Sequence, residues 1–343
     1  MMRILLILIV LASMNPLLAQ SSTLLKATVM PIAHGKGGIR FDYFAFSPQL
    51  HKILIPAGQT GKLYLIDPTS FEMNSIGGFT SSPEWQKGQE IGITAADEGE
   101  GFIFVADHGS QQLDVVDVRT KKIVAKAPLA LDVDILRYVK INHEVWATEP
   151  DDKDKQQIEV FSFTAGEHPR LTHVLFIAMP GGPESLSIDN THQRAFTNVG
   201  KNATAIDLKT HAITDTWPNT CTKSRGTAVD EARNFLFVAC GEGKAVVLDL
   251  NQKGKPVASL MTGQGADLVD FNSNLSHFYI TASKNAILSV LGVSSTGGLS
   301  LLGIGQAAMK SHCVIGDDQN NIWVCAPQEG QLLRYRDDFP KSN

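Results

Sequence analysis

The chain keeps rewriting one short phrase: two β-forming residues, an aspartate, an apolar residue and a turn. It reads "YLIDPT" around Asp67, "DVVDVRT" around Asp117, "TAIDLKT" around Asp207 and "VVLDLN" around Asp249. Degenerate copies place Ser162 ("EVFSFT"), Gly292 ("SVLGVS") and Tyr335 ("LLRYRD") at the same point. Successive copies lie 50, 45, 45, 42, 43 and 43 residues apart. A period of that size marks a repeat architecture, because each copy is one supersecondary unit that buries its apolar faces only against its neighbours.

One unit, read from Gly182 to Pro218, divides into "ESLSID", "RAFTNV", "ATAIDL" and "AITDTW". These runs are short and rich in Val, Ile, Phe and Thr, and they are bounded by Gly, Asn, Asp and Lys, as strands and hairpin turns are. The next copy repeats the scheme with "GTAVD", "NFLFVAC", "AVVLDL" and "PVASLM". No long stretch carries a helical period. Four antiparallel strands per repeat, seven times over, predict an all-β chain: a seven-bladed β-propeller of four-stranded blades. The recurring aspartate then ends the third strand, where its carboxylate accepts N–H bonds from the tight turn that follows.

The ring needs closing. The last copy supplies three strands and then ends in "DDFPKSN", while "TLLKATVMPI" (residues 23–32) has no repeat of its own. This segment is expected to be the outer strand of the last blade, joining the two ends and protecting a sheet edge.

Ahead of it stands "MMRILLILIVLASMNPLLAQ", with Arg3, an apolar run and a small residue before Gln20. That order predicts a signal peptide over residues 1–19, followed by one propeller domain over residues 20–343. The apolar run is shorter than the roughly 20 residues a bilayer demands, so no membrane span is expected after its removal. The mature chain is expected to be periplasmic or secreted, soluble and monomeric. Its net charge is -5 and it has no long basic run, so nucleic acid is not an expected partner.

In a propeller the innermost strands line a central channel. The loops that enter them, and the loops joining second to third strands, open on one face. The innermost strands offer Arg40, Asp42, Glu90, Asp134, Arg137, Glu184, Arg225, Asp267 and His312 near that opening, and the loops add Asp107, His108, Glu149 and Asn198. Mutual satisfaction of acids and arginines accounts for part of such a set. The expected ligand-binding group is Arg40, Asp42, Glu90, His108, Asp134, Arg137, Glu184, Arg225, Asp267 and His312. No resident cofactor is expected. A divalent cation is compatible with Glu90, Glu184, Asp267 and Asn198, since hard cations take oxygen ligands. His34, His108 and His312 have no zinc-ligand spacing. Cys221 and Cys240 fall in one blade, and Cys313 and Cys325 in another. An exported chain permits bridges, but neighbouring strands do not always offer the geometry, and both states stay open.

The stretches "VADHGSQQLDVVDVRTKKIV", "GGPESLSIDNTHQRAFTNV" and "DEARNFLFVACGEGKAVVLDL" resemble the YVTN-type, YncE-like seven-bladed propellers of exported bacterial proteins. The resemblance covers the mature chain. It extends more faintly to haem d1-type propellers and to propeller lactonases. It implies a fold rather than an activity. There is no C-x-x-C-H, so it does not extend to covalent haem attachment.

Two functional expectations follow. One is a binding protein that presents the channel mouth to a small polar ligand or a protein partner. The alternative is a lactonase-like hydrolase or lyase at the same mouth, with an ion or arginine polarising a carbonyl and His108 or His312 moving a proton. A redox or cofactor-carrying role rests only on the haem d1 likeness.

Overall fold

A computed structural model describes residues 23–33, 35–84 and 91–343. The expected signal segment, His34 and Glu90 lie outside the described residues. Seven sheets of antiparallel repeats form the ring, each built on four sequential strands except the last. The innermost strands are Ala45–Ser47, Ile93–Gly99, Leu136–Val139, Ser187–Asp189, Ser224–Asp230, Ala266–Asn272 and Val314–Gly316. Each meets the innermost strand of the next blade, and the seventh returns to the first.

Burial follows position within a blade. The second strands Phe102–Asp107, Glu144–Glu149, Phe235–Cys240, His277–Ala282 and Asn321–Ala326 are buried at all their positions. All but Glu144–Glu149, which reads "EVWATE", are largely apolar runs, because both their faces pack against neighbouring blades. The outer strand Ile213–Pro218 is almost wholly exposed and reads "ITDTWP". Aromatic pairs key blade to blade: Phe104 stacks on Tyr138, and Phe237 on Phe271, with ring centroids 5.4 and 4.6 Å apart.

The repeated aspartate makes the turn between third and fourth strands. Asp67 Oδ1 accepts N–H bonds from Thr69 and Ser70, Asp117 Oδ1 from Arg119 and Thr120, and Asp207 Oδ1 from Lys209 and Thr210. The carbonyls of the same aspartates accept from Phe71, Lys121 and His211, which adopt positive φ. Hydrogen bonds to the ionised form hold all three carboxyls below the usual range: for Asp67 chiefly from Lys52, for Asp117 from Thr120 and for Asp207 from Thr210. A second device, less regular in sequence, closes the turns between first and second strands. There His51, Glu100, His143, Gln193, Asn234, Ser276 and Asn320 take φ between 50° and 62°, one in every blade. Asp189, Asp230, Asn272 and Asp317 accept the N–H bonds of those turns.

The N-terminal segment clasps two blades rather than one. Thr28–Pro31 is the expected outer strand of the last blade, antiparallel to Gln331–Arg336. Thr23–Leu25 instead runs parallel to Leu299–Gln306 and becomes a fifth strand of the sixth blade. The eight-residue outer strand of that blade offers an open edge, and the segment covers it. The strap then crosses the final turn of the seventh blade so closely that a Cβ on Gly330 would sit 1.9 Å from the Gly35 carbonyl oxygen. The C-terminal tail folds under the sixth blade: Ser342 N–H donates to the Leu275 carbonyl, and His277 Nδ1 lies 2.8 Å from Asp337 Oδ2. Both cysteine pairs are disulfides, Cys221–Cys240 and Cys313–Cys325.

Candidate functional site

The face on which the chain enters each innermost strand, here the upper face, gathers charge around the channel. Asp134 is its centre. Burial raises its carboxyl well above the ordinary value, and the charges of Asp42, Asp151, Asp267 and Glu184 raise it further. Those four acids come from the first, third, sixth and fourth blades. Glu184 pairs with Arg225 of the fifth blade. Its carboxyl is still raised by burial, with Asp267 adding to the shift and Arg225 opposing it. Arg40, Asp267 and His312 line a cleft of about 240 Å³ beside them, with Lys310 and Ser283. His312 Nε2 lies 3.0 Å from the Phe41 carbonyl oxygen and Nδ1 2.7 Å from that of Lys310. Both ring nitrogens therefore face acceptors.

Arg137 faces a different part of the ring interior, with Tyr43, Ser187, Thr227 and Asp270 around it. It is the second residue of its strand, and its guanidinium sits 4.2 Å from the Tyr43 ring centroid. It donates to the Leu136 carbonyl at 2.9 Å. Burial lowers its pKa to about 10, so it stays a cation, with Asp270 favouring the charge from across the throat. Burial pushes the Asp270 carboxyl up to about 6 against the pull of the Gly316 and Phe271 N–H groups and Arg137.

The residues named from the loops are placed otherwise. His108 is buried, and its Nε2 accepts the Val133 N–H at 2.9 Å. Asp107 accepts the Thr80 N–H, and Glu149 the Leu131 N–H. Asn198 donates to the Arg225 carbonyl and accepts from Asn219. Gln59 and Glu242 do the same work in the first and fifth blades. At each position a polar side chain, buried in every case but the half-buried Glu242, grips the chain segment at the entry to an innermost strand. These residues position the mouth; they do not line it. Nothing in the chain's letters signals this, because a polar residue after a strand looks alike whether it meets water or backbone.

The structure brings in residues that sequence reasoning passed over. Asp151 stands two places beyond Glu149 in the same loop. On the lower face, Asp97 accepts N–H bonds from Tyr138 and Glu98, and burial pushes its carboxyl up to about 7. It borders a cleft of about 520 Å³ with Tyr138 and Lys140. "AADEGEG" reads as a solvated acidic turn, and the contact with Tyr138 of the next blade that encloses its aspartate leaves no local mark in it.

No protein-family model matches the chain, and no curated protein sequence matches it. Solved structures do. A chain of the mitotic checkpoint complex superposes with a TM-score of 0.73 at 13% identity, covering 98% of this chain and 99% of that one. Hydrazine synthase of Kuenenia stuttgartiensis superposes with a TM-score of 0.70 at 11% identity, covering 90% and 96%. At such identities the likeness concerns the fold alone. The chain is a seven-bladed β-propeller.

Proposed function

We propose that this chain is an exported propeller of the YncE-like kind that binds a polar ligand or a protein partner at its upper channel mouth. The observation that carries the reading is the convergence of Asp42, Asp134, Glu184, Arg225 and Asp267 from five blades on one opening. No local folding need places charge there, and Asp134 is kept in an environment that opposes its ionisation. Exposed loops on a rigid scaffold commonly carry binding function. A thermal-shift screen of polar metabolites on residues 20–343 would supply a ligand. Arg225→Ala is then expected to weaken its binding by about tenfold, the loss of one charge-assisted contact. Asn190→Ala, in a lower-face turn, is expected to leave it unchanged. Equal affinity in both variants would move the function to another surface.

The acids of the mouth also favour a second reading, metal-assisted hydrolysis. Asp42, Asp134, Glu184 and Asp267 bring carboxylate oxygens, the ligand type a hard divalent cation takes, to one opening, and an ion held there would polarise a substrate carbonyl. Asn198 is engaged elsewhere, and His312 would have to release a carbonyl before taking a proton. Turnover of a lactone panel that stops on chelation and returns with calcium supports this reading; no turnover with calcium present removes it.

A further inference from the structure

We infer that the upper face holds a second site, separate from the channel mouth, that takes a small organic oxyanion. It is a cleft of about 400 Å³ between the strap and the first blade, lined by Lys36, Lys62, Thr60, Ser81 and the backbone at Gly37 and Gly38. That volume suits a metabolite rather than a bare ion. Among the described residues, two lysines and no carboxylate line it, in a chain whose net charge is -5. Among the described residues, neither lysine makes an ion pair, whereas Lys52, Lys126 and Lys244 do.

The cleft is built rather than incidental. Its three walls are the segment 36–40, the turn 59–62 and the segment 81–83, and one buried residue ties them together through its side chain and its backbone carbonyl. Gln59 is 7% exposed. Its Oε1 accepts the Arg40 N–H at 3.2 Å and its Nε2 donates to the Gly38 carbonyl at 3.0 Å. Its own carbonyl accepts the Ser82 N–H at 2.9 Å. Every polar group of that side chain is used to fix the walls, so the lysine stems spring from a rigid frame. Among the described residues, the Thr60 hydroxyl oxygen there is buried and has no hydrogen-bond partner. Lysine ammonium groups are compact point charges that donate to phosphate and carboxylate oxygens alike. The shared chemistry is therefore a multivalent oxyanion, either a phosphate ester or a polycarboxylate.

The test is calorimetric titration of residues 20–343 at low salt with two probes, inorganic pyrophosphate and citrate. Saturable one-to-one binding of either probe is expected, weakening with added salt. The probe that binds more tightly tells phosphate from polycarboxylate chemistry. The double variant Lys36→Ala, Lys62→Ala is expected to lose about tenfold or more in affinity. The charge-matched control Lys201→Ala, Lys253→Ala is expected to keep it, as is Arg225→Ala, which separates this site from the channel mouth. Unfolding of the double variant is excluded by its melting curve, and Lys62→Gln serves in its place should it not fold. The inference is overturned if neither probe saturates, or if the variant and the control lose affinity equally.

Discussion

Asp97 and the turn aspartates show how one residue type serves opposite ends of the pH scale. Asp97 keeps its proton in the folded chain up to about 7, because burial outweighs its two N–H bonds. Unfolded, an aspartate releases its proton near about 3.9. Between those values the folded state holds the extra proton, so Asp97 makes the protein less stable as pH rises through about 7. Asp97→Asn is expected to shrink the drop in melting temperature between about pH 5 and about pH 8; an unchanged drop would mean that Asp97 ionises freely in the fold. Asp67, Asp117 and Asp207 act in the reverse sense. Their depressed values contribute stability above the ordinary carboxylate range, and it is lost as pH falls through their folded values. The turn aspartates were legible in the sequence because a turn is a local event. Asp97 was not, because its burial is set by Tyr138 of the next blade, 41 residues away.

At the scale of elements, the strap and the bridges hold the ring shut in different ways. Removing residues up to Lys26 deletes only the parallel fifth strand, whose Leu24 is 73% exposed. Removing residues up to Pro31 also strips the outer strand from the seventh blade and bares Leu333, which pairs with Val29. The shorter deletion is expected to lower the melting temperature slightly and the longer one steeply; equal effects would sink the closure role of Thr28–Pro31. The Cys221–Cys240 bridge closes a 19-residue separation at the entry to the fifth blade. Loops of this size stabilise by about 3 kcal/mol in the chain-entropy account. Cys221→Ser with Cys240→Ser is therefore expected to destabilise by up to that amount, read by denaturant unfolding. A thiol assay of the unfolded, unreduced protein is expected to find no free cysteine. Strand count and blade order were legible from period and composition. The split of the N-terminal segment was not, because residues 23–32 satisfy the pattern of one strand as well as two.

For the whole molecule, the sequence marks the channel mouth more faintly than it marks the ring. Asp134, Glu184, Arg225 and Asp267 could be named because each stands at the entry to a recognisable innermost strand. His108, Glu149 and Asn198 were gathered with them on the same logic, yet the buried network that grips each entering segment has no periodic signature. If the chain is exported as the sequence indicates, N-terminal sequencing of the secreted protein is expected to begin at Gln20, and retention of residues 4–12 would show otherwise. The two ends of the fold also dictate how the protein can be handled. The strap begins at Thr23 on the outer circumference of the sixth blade, whereas the tail finishes beneath that blade, with Ser342 bonded to the Leu275 turn. A tether attached ahead of Thr23 would leave sideways and keep both openings clear. One attached behind Asn343 would set the lower face against the support. An immobilised-protein assay anchored by the first end leaves the upper mouth, the lysine cleft and the lower cleft all free to sample solution; anchored by the second, it hides the last of these.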